Sequence, residues 1–317
     1  MRIMASRRRT IRRFGMTFLP IVLIVLIAVG VVTGLIVYNI TRPTRAAYLV
    51  TPQSFTLGPI LKASDATWSN HDGTQARGWL IKGDEGAPAV ILLHRYGADR
   101  SSLLNLAVKL HESTGFTVLW PDLRAHGLNP PVNWTLFGAI EGDDVTAAID
   151  YLRTLKTPAG QQHVGLVGVY GIELGAYAAL DAAKRYPEVR ALALDSAPGS
   201  PDDLVRSATS QRTAMNNALL QKLGCWGMRA YAWGKYQSTP SCELARSLRN
   251  VKVQLLTGTS NDPWRGSTLE LANCFSGGAV EVKKDLQLTG INLNAATGEQ
   301  EEAYDRPVIE FFKNALK

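Results

Sequence analysis

The chain has 317 residues, 46% of them hydrophobic and 19% charged, which excludes a disordered polymer and a coiled coil. Three cysteines are too few for a disulfide scaffold, and their spacing makes no zinc ribbon or finger. The formal net charge is +7, but eight of the 34 basic residues are arginines in residues 1–45, which hold no Asp, Glu or Lys. The remaining 26 basic residues face 27 acidic ones in 46–317, a net of −1, so the body lacks the electrostatic footprint of a nucleic-acid binder.

Residues 1–13 form an Arg-rich tail, and residues 14–40 are an uncharged apolar run. As a helix this run reaches roughly 40 Å, enough to cross a hydrocarbon core with tilt. Six arginines precede it and two follow, so the charge bias places the N-terminus in the cytoplasm and the rest of the chain outside. A cleaved signal peptide has an apolar core of only about 7–15 residues ending in small residues. Here the run is longer and leaves through Tyr38-Asn39-Ile40-Thr41-Arg42-Pro43, so an uncleaved single-pass anchor is expected, with the bilayer as partner.

Residues 41–51 read as a tether and 52–317 as one domain. Two antiparallel strands flank the turn Asp72-Gly73. Ala87–His94 is a continuous apolar run, as in a strand buried on both faces. Helical spacing over Ser101–Ser113, a strand at Phe116–Trp120 and a helix at Gly142–Leu155 follow. A strand at His163–Tyr170, a helix at Leu174–Arg185, strands at Val189–Leu194, Val251–Thr257 and Val280–Leu286, and a helix at Glu302–Leu316 complete the series. The alternation predicts an α/β fold with a mainly parallel sheet flanked by helices. Residues 199–249 break the rhythm and read as a small cap over the sheet's C-terminal edge, where an unidentified small molecule or protein is the expected partner. Within the cap, Trp226, Tyr231, Trp233 and Tyr236 suit either a pocket lining or cap-to-core packing.

Three loops at the C-terminal ends of predicted strands carry chemistry: His94-Arg95-Tyr96-Gly97, Pro121-Asp122-Leu123-Arg124-Ala125-His126-Gly127, and Gly171-Ile172-Glu173-Leu174-Gly175. With Gly258 and Asp262 after a later strand, they resemble the α/β-hydrolase fold, in its serine-aminopeptidase and esterase-like branch, over about residues 50–315. In that family the third loop is G-x-S-x-G, a sharp turn that lifts a nucleophile above the sheet. The resemblance implies oxyanion donors at Tyr96 and Leu174 and the triad acid at Asp262, with Asp195 a less suitable stand-in; it implies no cofactor or metal.

Two departures bear on function. The nucleophile position is Glu173, and none of the five histidines (71, 94, 111, 126 and 163) follows Asp262. The loop before the last helix, where the family carries its base, reads Thr289-Gly290-Ile291-Asn292-Leu293-Asn294. A serine nucleophile needs a base within hydrogen-bond reach, and here both are missing. His94 and His126 lie on pocket-side loops, where they either serve as displaced bases or support the loops. Glu173 could attack as a carboxylate, as aspartate does in dehalogenases of this fold, but turnover there also requires the histidine.

The leading expectation is therefore a membrane-anchored protein of hydrolase fold that binds or scaffolds, leaning to a pseudoenzyme. The alternative is an active esterase or peptidase-like hydrolase with a displaced base or a carboxylate nucleophile. Arg95 stands where the family has glycine, which suggests an Arg95–Glu173 ion pair filling the former pocket, against an Arg95 turned to solvent. Cys225 and Cys242 are expected to form a disulfide across the cap, leaving Cys274 over.

Overall fold

A computed structural model of the chain describes residues 2–44, 51, 63–128, 130–292 and 298–317, with side chains from residue 18 onward. Helix α1 spans Arg2–Thr41. Its Phe18–Thr41 portion is long and apolar enough to cross a membrane, and most of that portion is exposed.

Eight strands form one sheet: β1 (Ser64–Ser69), β2 (Gln75–Ile81), β3 (Ala89–Leu93), β4 (Thr117–Pro121), β5 (Val167–Ile172), β6 (Val189–Asp195), β7 (Lys252–Gly258) and β8 (Val280–Leu286). Their order is β1-β2-β4-β3-β5-β6-β7-β8. The β1–β2 and β2–β4 pairs are antiparallel and the others parallel. The chain passes from β3 outward to β4, then returns to place β5 on the other side of β3. Loops leaving β3 and β5 therefore diverge at the strands' C-terminal ends, the switch point at which open α/β sheets bind ligands.

The strands are apolar on both faces because helices cover both. On one side Ile91 and Leu93 pack with α3 (Glu141–Thr154) and α4 (Leu174–Arg185). On the other, Val90 and Leu92 pack with α2 (Leu104–Thr114) and α9 (Gly298–Ala315), including Phe311 and Phe312. Each such fully buried side chain contributes about 1.5–3 kcal/mol.

Between β6 and β7 the cap consists of α5 (Pro201–Thr213), α6 (Ala218–Tyr231) and α7 (Ser241–Ser247). It packs on α1 and, through α7, on α4 and α8, and Ile36, Val37 and Ile40 of α1 belong to the core. Residues 41–44 are correspondingly held. Thr41 and Pro43 are buried, the Thr135 N–H donates to the Thr41 carbonyl at 3.0 Å, and Arg212 donates to the Arg42 carbonyl at 2.6 Å. Residues 45–50 and 52–62 of the expected tether and domain start lie outside the described residues. Of the cap aromatics, Tyr236 is buried and donates to Asp202, whereas Trp226, Tyr231 and Trp233 are exposed and pack on no core.

The expected Cys225–Cys242 disulfide is not formed. Cys242, on α7, is bonded instead to Cys274, just after α8 (Arg265–Ala272). Cys225 faces inward from α6, buried, with its thiol toward the Asp202 carbonyl on α5. Proximity in sequence had favoured the cap partner, but the packing of α7 on α8 brings the third cysteine to the second.

Candidate functional site

Glu173 occupies the turn between β5 and α4, with φ 51° and ψ −105°, left-handed territory costly for a residue with a Cβ. Its N–H donates to the Asp195 carbonyl on neighbouring β6 at 3.0 Å, and its own carbonyl accepts from Tyr177 as α4 begins. The flanking glycines permit this turn by close approach. A Cβ on Gly171 would lie 2.3 Å from backbone atoms of Gly175, and one on Gly175 would lie 2.5 Å from the Leu93 carbonyl oxygen. The turn is thus clamped between β3 and α4, and the side chain at 173 is presented above the sheet edge.

That side chain is buried, 5% exposed. Its Oε2 accepts a hydrogen bond of 3.1 Å from the Tyr96 N–H, on the loop leaving β3, and the Trp264 side chain supplies a second donor toward the carboxylate. Burial raises the Glu173 carboxyl to about 7, against the opposing pull of the Arg95 charge and these two donors. The sequence singled out the Tyr96 backbone for an oxyanion donor; the structure aims that N–H at Glu173 itself. Leu174 is the first residue of α4. The Trp264 donor had no sequence signal, since it comes from a loop beyond Asp262.

The expected Arg95–Glu173 ion pair is absent: no salt bridge joins them within 4.0 Å, although the arginine is near enough to be felt. Arg95 is half-exposed and its guanidinium turns back to donate to the Tyr96 carbonyl at 3.1 Å. In that position it keeps its hydration, whereas a pair inside the elbow would have to desolvate both charges.

Tyr96 also ties the site to the anchor. Its hydroxyl donates to the Ile40 carbonyl at 2.7 Å, and its ring stacks on Phe137. The last turn of α1 therefore lies over the loop that carries the Tyr96 N–H.

Asp262 follows β7, as the resemblance implies, but its oxygens are occupied by its own surroundings. Oδ2 accepts from Thr257 Oγ1 at 2.9 Å, the Gly258 N–H at 2.8 Å and Ser196 Oγ at 3.3 Å, and Oδ1 accepts from the Trp264 N–H at 2.9 Å. Asp195 is fully buried, raised by burial to about 6. It accepts from the Gly290 N–H at 2.5 Å, from Ser196 Oγ at 2.7 Å and from the Tyr304 hydroxyl. Gly290 sits in the loop where the family places its base. A Cβ there would lie 2.5 Å from two carbons of Ile172. Residues 293–297 lie outside the described residues.

Neither pocket-side histidine bonds Glu173 or Asp262. His94 donates from Nδ1 to the Arg95 carbonyl at 2.8 Å and accepts at Nε2 from the Leu123 N–H at 3.0 Å, a tautomer assigned from this network. His126 donates from Nδ1 to the Arg124 carbonyl at 2.8 Å. Burial pushes His94 down to about 4 and His126 to about 3, so both rings are neutral at physiological pH. They are braces between the first and second loops. His163 lies before β5, at the opposite end of the strand from the elbow, and His71 is exposed against Asp150.

No family model matches the sequence, and no curated protein matches it. Among solved structures, an esterase from Pyrococcus furiosus superposes with a TM-score of 0.68 at 20% identity, over 88% of this chain and 100% of the other. The chain has the α/β-hydrolase fold. A dienelactone hydrolase from Anabaena variabilis is similar at a TM-score of 0.53 and 17% identity, over 80% of this chain and 99% of the other. An acylaminoacyl peptidase from Pyrococcus horikoshii gives 0.56 and 14%, over 81% of this chain and 42% of the other.

Proposed function

We propose that this is a single-pass membrane protein in which the hydrolase fold binds or scaffolds rather than hydrolyses, with its N-terminus cytoplasmic and its domain outside. One observation carries the reading: the Glu173 carboxylate fills the oxyanion site itself, accepting from the Tyr96 N–H at 3.1 Å. An acyl substrate needs that donor for its developing oxyanion, so the elbow side chain competes with the transition state it would have to stabilise. Among the described residues no imidazole lies beside Asp262, which supports the same reading, since the usual acceptor of a nucleophile's proton is missing there.

Attack by Glu173 itself would require the carboxylate to leave its donors and ionise in a buried site. Burial raises its carboxyl to about 7, which lowers the ionised, nucleophilic fraction at neutral pH. The uncleaved anchor is supported by the burial of Ile36, Val37 and Ile40, which makes the end of α1 part of the core.

The test is to treat the full chain in detergent micelles with a serine-directed fluorophosphonate and a p-nitrophenyl ester. No adduct at the elbow and no turnover above the Glu173→Gln protein are expected. Ester turnover lost on Glu173→Gln would overturn the binding reading in favour of a carboxylate nucleophile.

A further inference from the structure

The apolar surface of this chain is segregated. Apart from Leu128, Leu166 and Val282, every exposed large apolar side chain among the described residues lies on α1 or on cap residues 215–233. On the cap these include Leu219, Trp226, at 61% exposure, and Trp233, at 86%. Leu219, Trp226, Ala230 and Trp233 recur at helical spacing along the outward side of α6 and its continuation.

This stripe does not stand alone. α6 packs directly on α1, and the helices approach so closely that a Cβ on Gly227 would lie 2.5 Å from Val37 Cγ2. Beside the contact runs a groove of about 660 Å³, walled by Leu223, Trp226 and Tyr231 on α6 and floored by Gly30 and Gly34 on α1. A Cβ on either floor glycine would meet nothing within 4 Å. One end is closed by Arg42, whose guanidinium lies 4.1 Å over the Tyr38 ring and makes no salt bridge among the described residues. No acidic residue lines the groove.

Depth follows from α1. A hydrocarbon core about 30 Å thick takes about 20 residues of helix. Centred on the uncharged run 14–40, it takes up about residues 17–37, which puts Gly30 and Gly34 within the core and Arg42 at headgroup level. From Val29 to Arg42 the groove runs about 20 Å along α1, lined mainly by apolar side chains and ending at the Arg42 guanidinium. It suits an apolar chain ending in an anion.

We propose that the groove between α1 and α6 holds one acyl chain of a bilayer phospholipid whose phosphate meets Arg42, so that the cap is immersed in the leaflet beside its own anchor. This rests on the membrane anchoring proposed above, and not on whether the elbow is catalytic.

The test reconstitutes the full chain into phosphatidylcholine vesicles, either unmodified or brominated at mid-chain. The tryptophan emission lost in Trp226→Phe isolates the Trp226 contribution. Bromolipid is expected to quench that contribution by half or more, and aqueous iodide to leave it untouched. Native mass spectrometry of the chain in detergent should show one retained phospholipid, lost in Gly34→Leu, whose Cβ meets no protein atom within 4 Å, and reduced several-fold in Arg42→Gln. If the chain does not float with vesicles, the anchoring reading itself fails. If it floats but Trp226 is quenched by iodide and not by bromolipid, only the groove proposal fails. Lipid retention indifferent to Gly34→Leu would also overturn it, as would a crosslinked dimer abolished by that change.

Discussion

Replacing Glu173 with glutamine keeps the side chain's shape and an acceptor for the Tyr96 N–H, but removes the titrating proton. Burial raises this carboxyl in the folded chain from 4.5 to about 7. Between those pH values the unfolded chain has released the proton while the folded chain keeps it, so stability falls as pH rises. At about 1.4 kcal/mol per pH unit, the group removes about 3 kcal/mol across the window, and the whole loss is present above pH 7. Asp195 and Asp305, also raised by burial to about 6, slope the same way in both proteins and cancel in the difference. For a domain of this size, about 2–4 °C accompanies each kcal/mol. The Tm gain of Glu173→Gln over the wild type should therefore be roughly 5–10 °C larger at about pH 8 than at about pH 5. Thermal unfolding of the full chain in micelles, followed by tryptophan emission, measures both. A Tm difference of the same size at the two pH values would refute the buried, proton-retaining carboxyl.

Glu173→Ser alone should give no ester turnover, because no imidazole faces the elbow; robust rescue would mean that one reaches it in solution. Peptide mapping without reduction should recover Cys242 linked to Cys274 and Cys225 as a free thiol, and a Cys225–Cys242 peptide would contradict the packing of α7 on α8. Cys274→Ser, which opens a loop with a separation of 32 residues, should cost about 3–4 kcal/mol, read as a fall in Tm. Gly175→Ala drives a Cβ to 2.5 Å from the Leu93 carbonyl oxygen. It should cost about 1–3 kcal/mol or more, and a variant as stable as the wild type would remove the clamp assigned to that glycine.

Much of the architecture was legible because its signals are local. The continuous apolar run at residues 87–94 reads as a strand covered on both faces, and β3 is buried throughout. The elbow spacing of Gly171, Glu173 and Gly175 is a steric requirement of one turn, so it survives the change of the residue between the glycines. What eluded the sequence depends on which surfaces meet. Arg95 and Glu173 come from adjacent strands, but the competing acceptor is the Tyr96 carbonyl next to Arg95, and no pattern declares which of two reachable partners a guanidinium takes. Cys274 lies outside the cap that holds the other two cysteines, and Trp264 carries no motif. The same holds for Ile40, which reads as the end of an anchor and proves to be an acceptor for Tyr96.

That last contact has a consequence for proteolysis. A domain on a slack stalk can be shed by one cut and leave intact. Here a cut anywhere in residues 41–50 would remove Ile36, Val37 and Ile40 from the core and take away the carbonyl to which the Tyr96 hydroxyl donates. The freed portion would carry an uncovered apolar face on α5 and α6 and a loosened elbow loop. With the anchor proposed above, release from the membrane would uncover that face and free the Tyr96 hydroxyl at the same time.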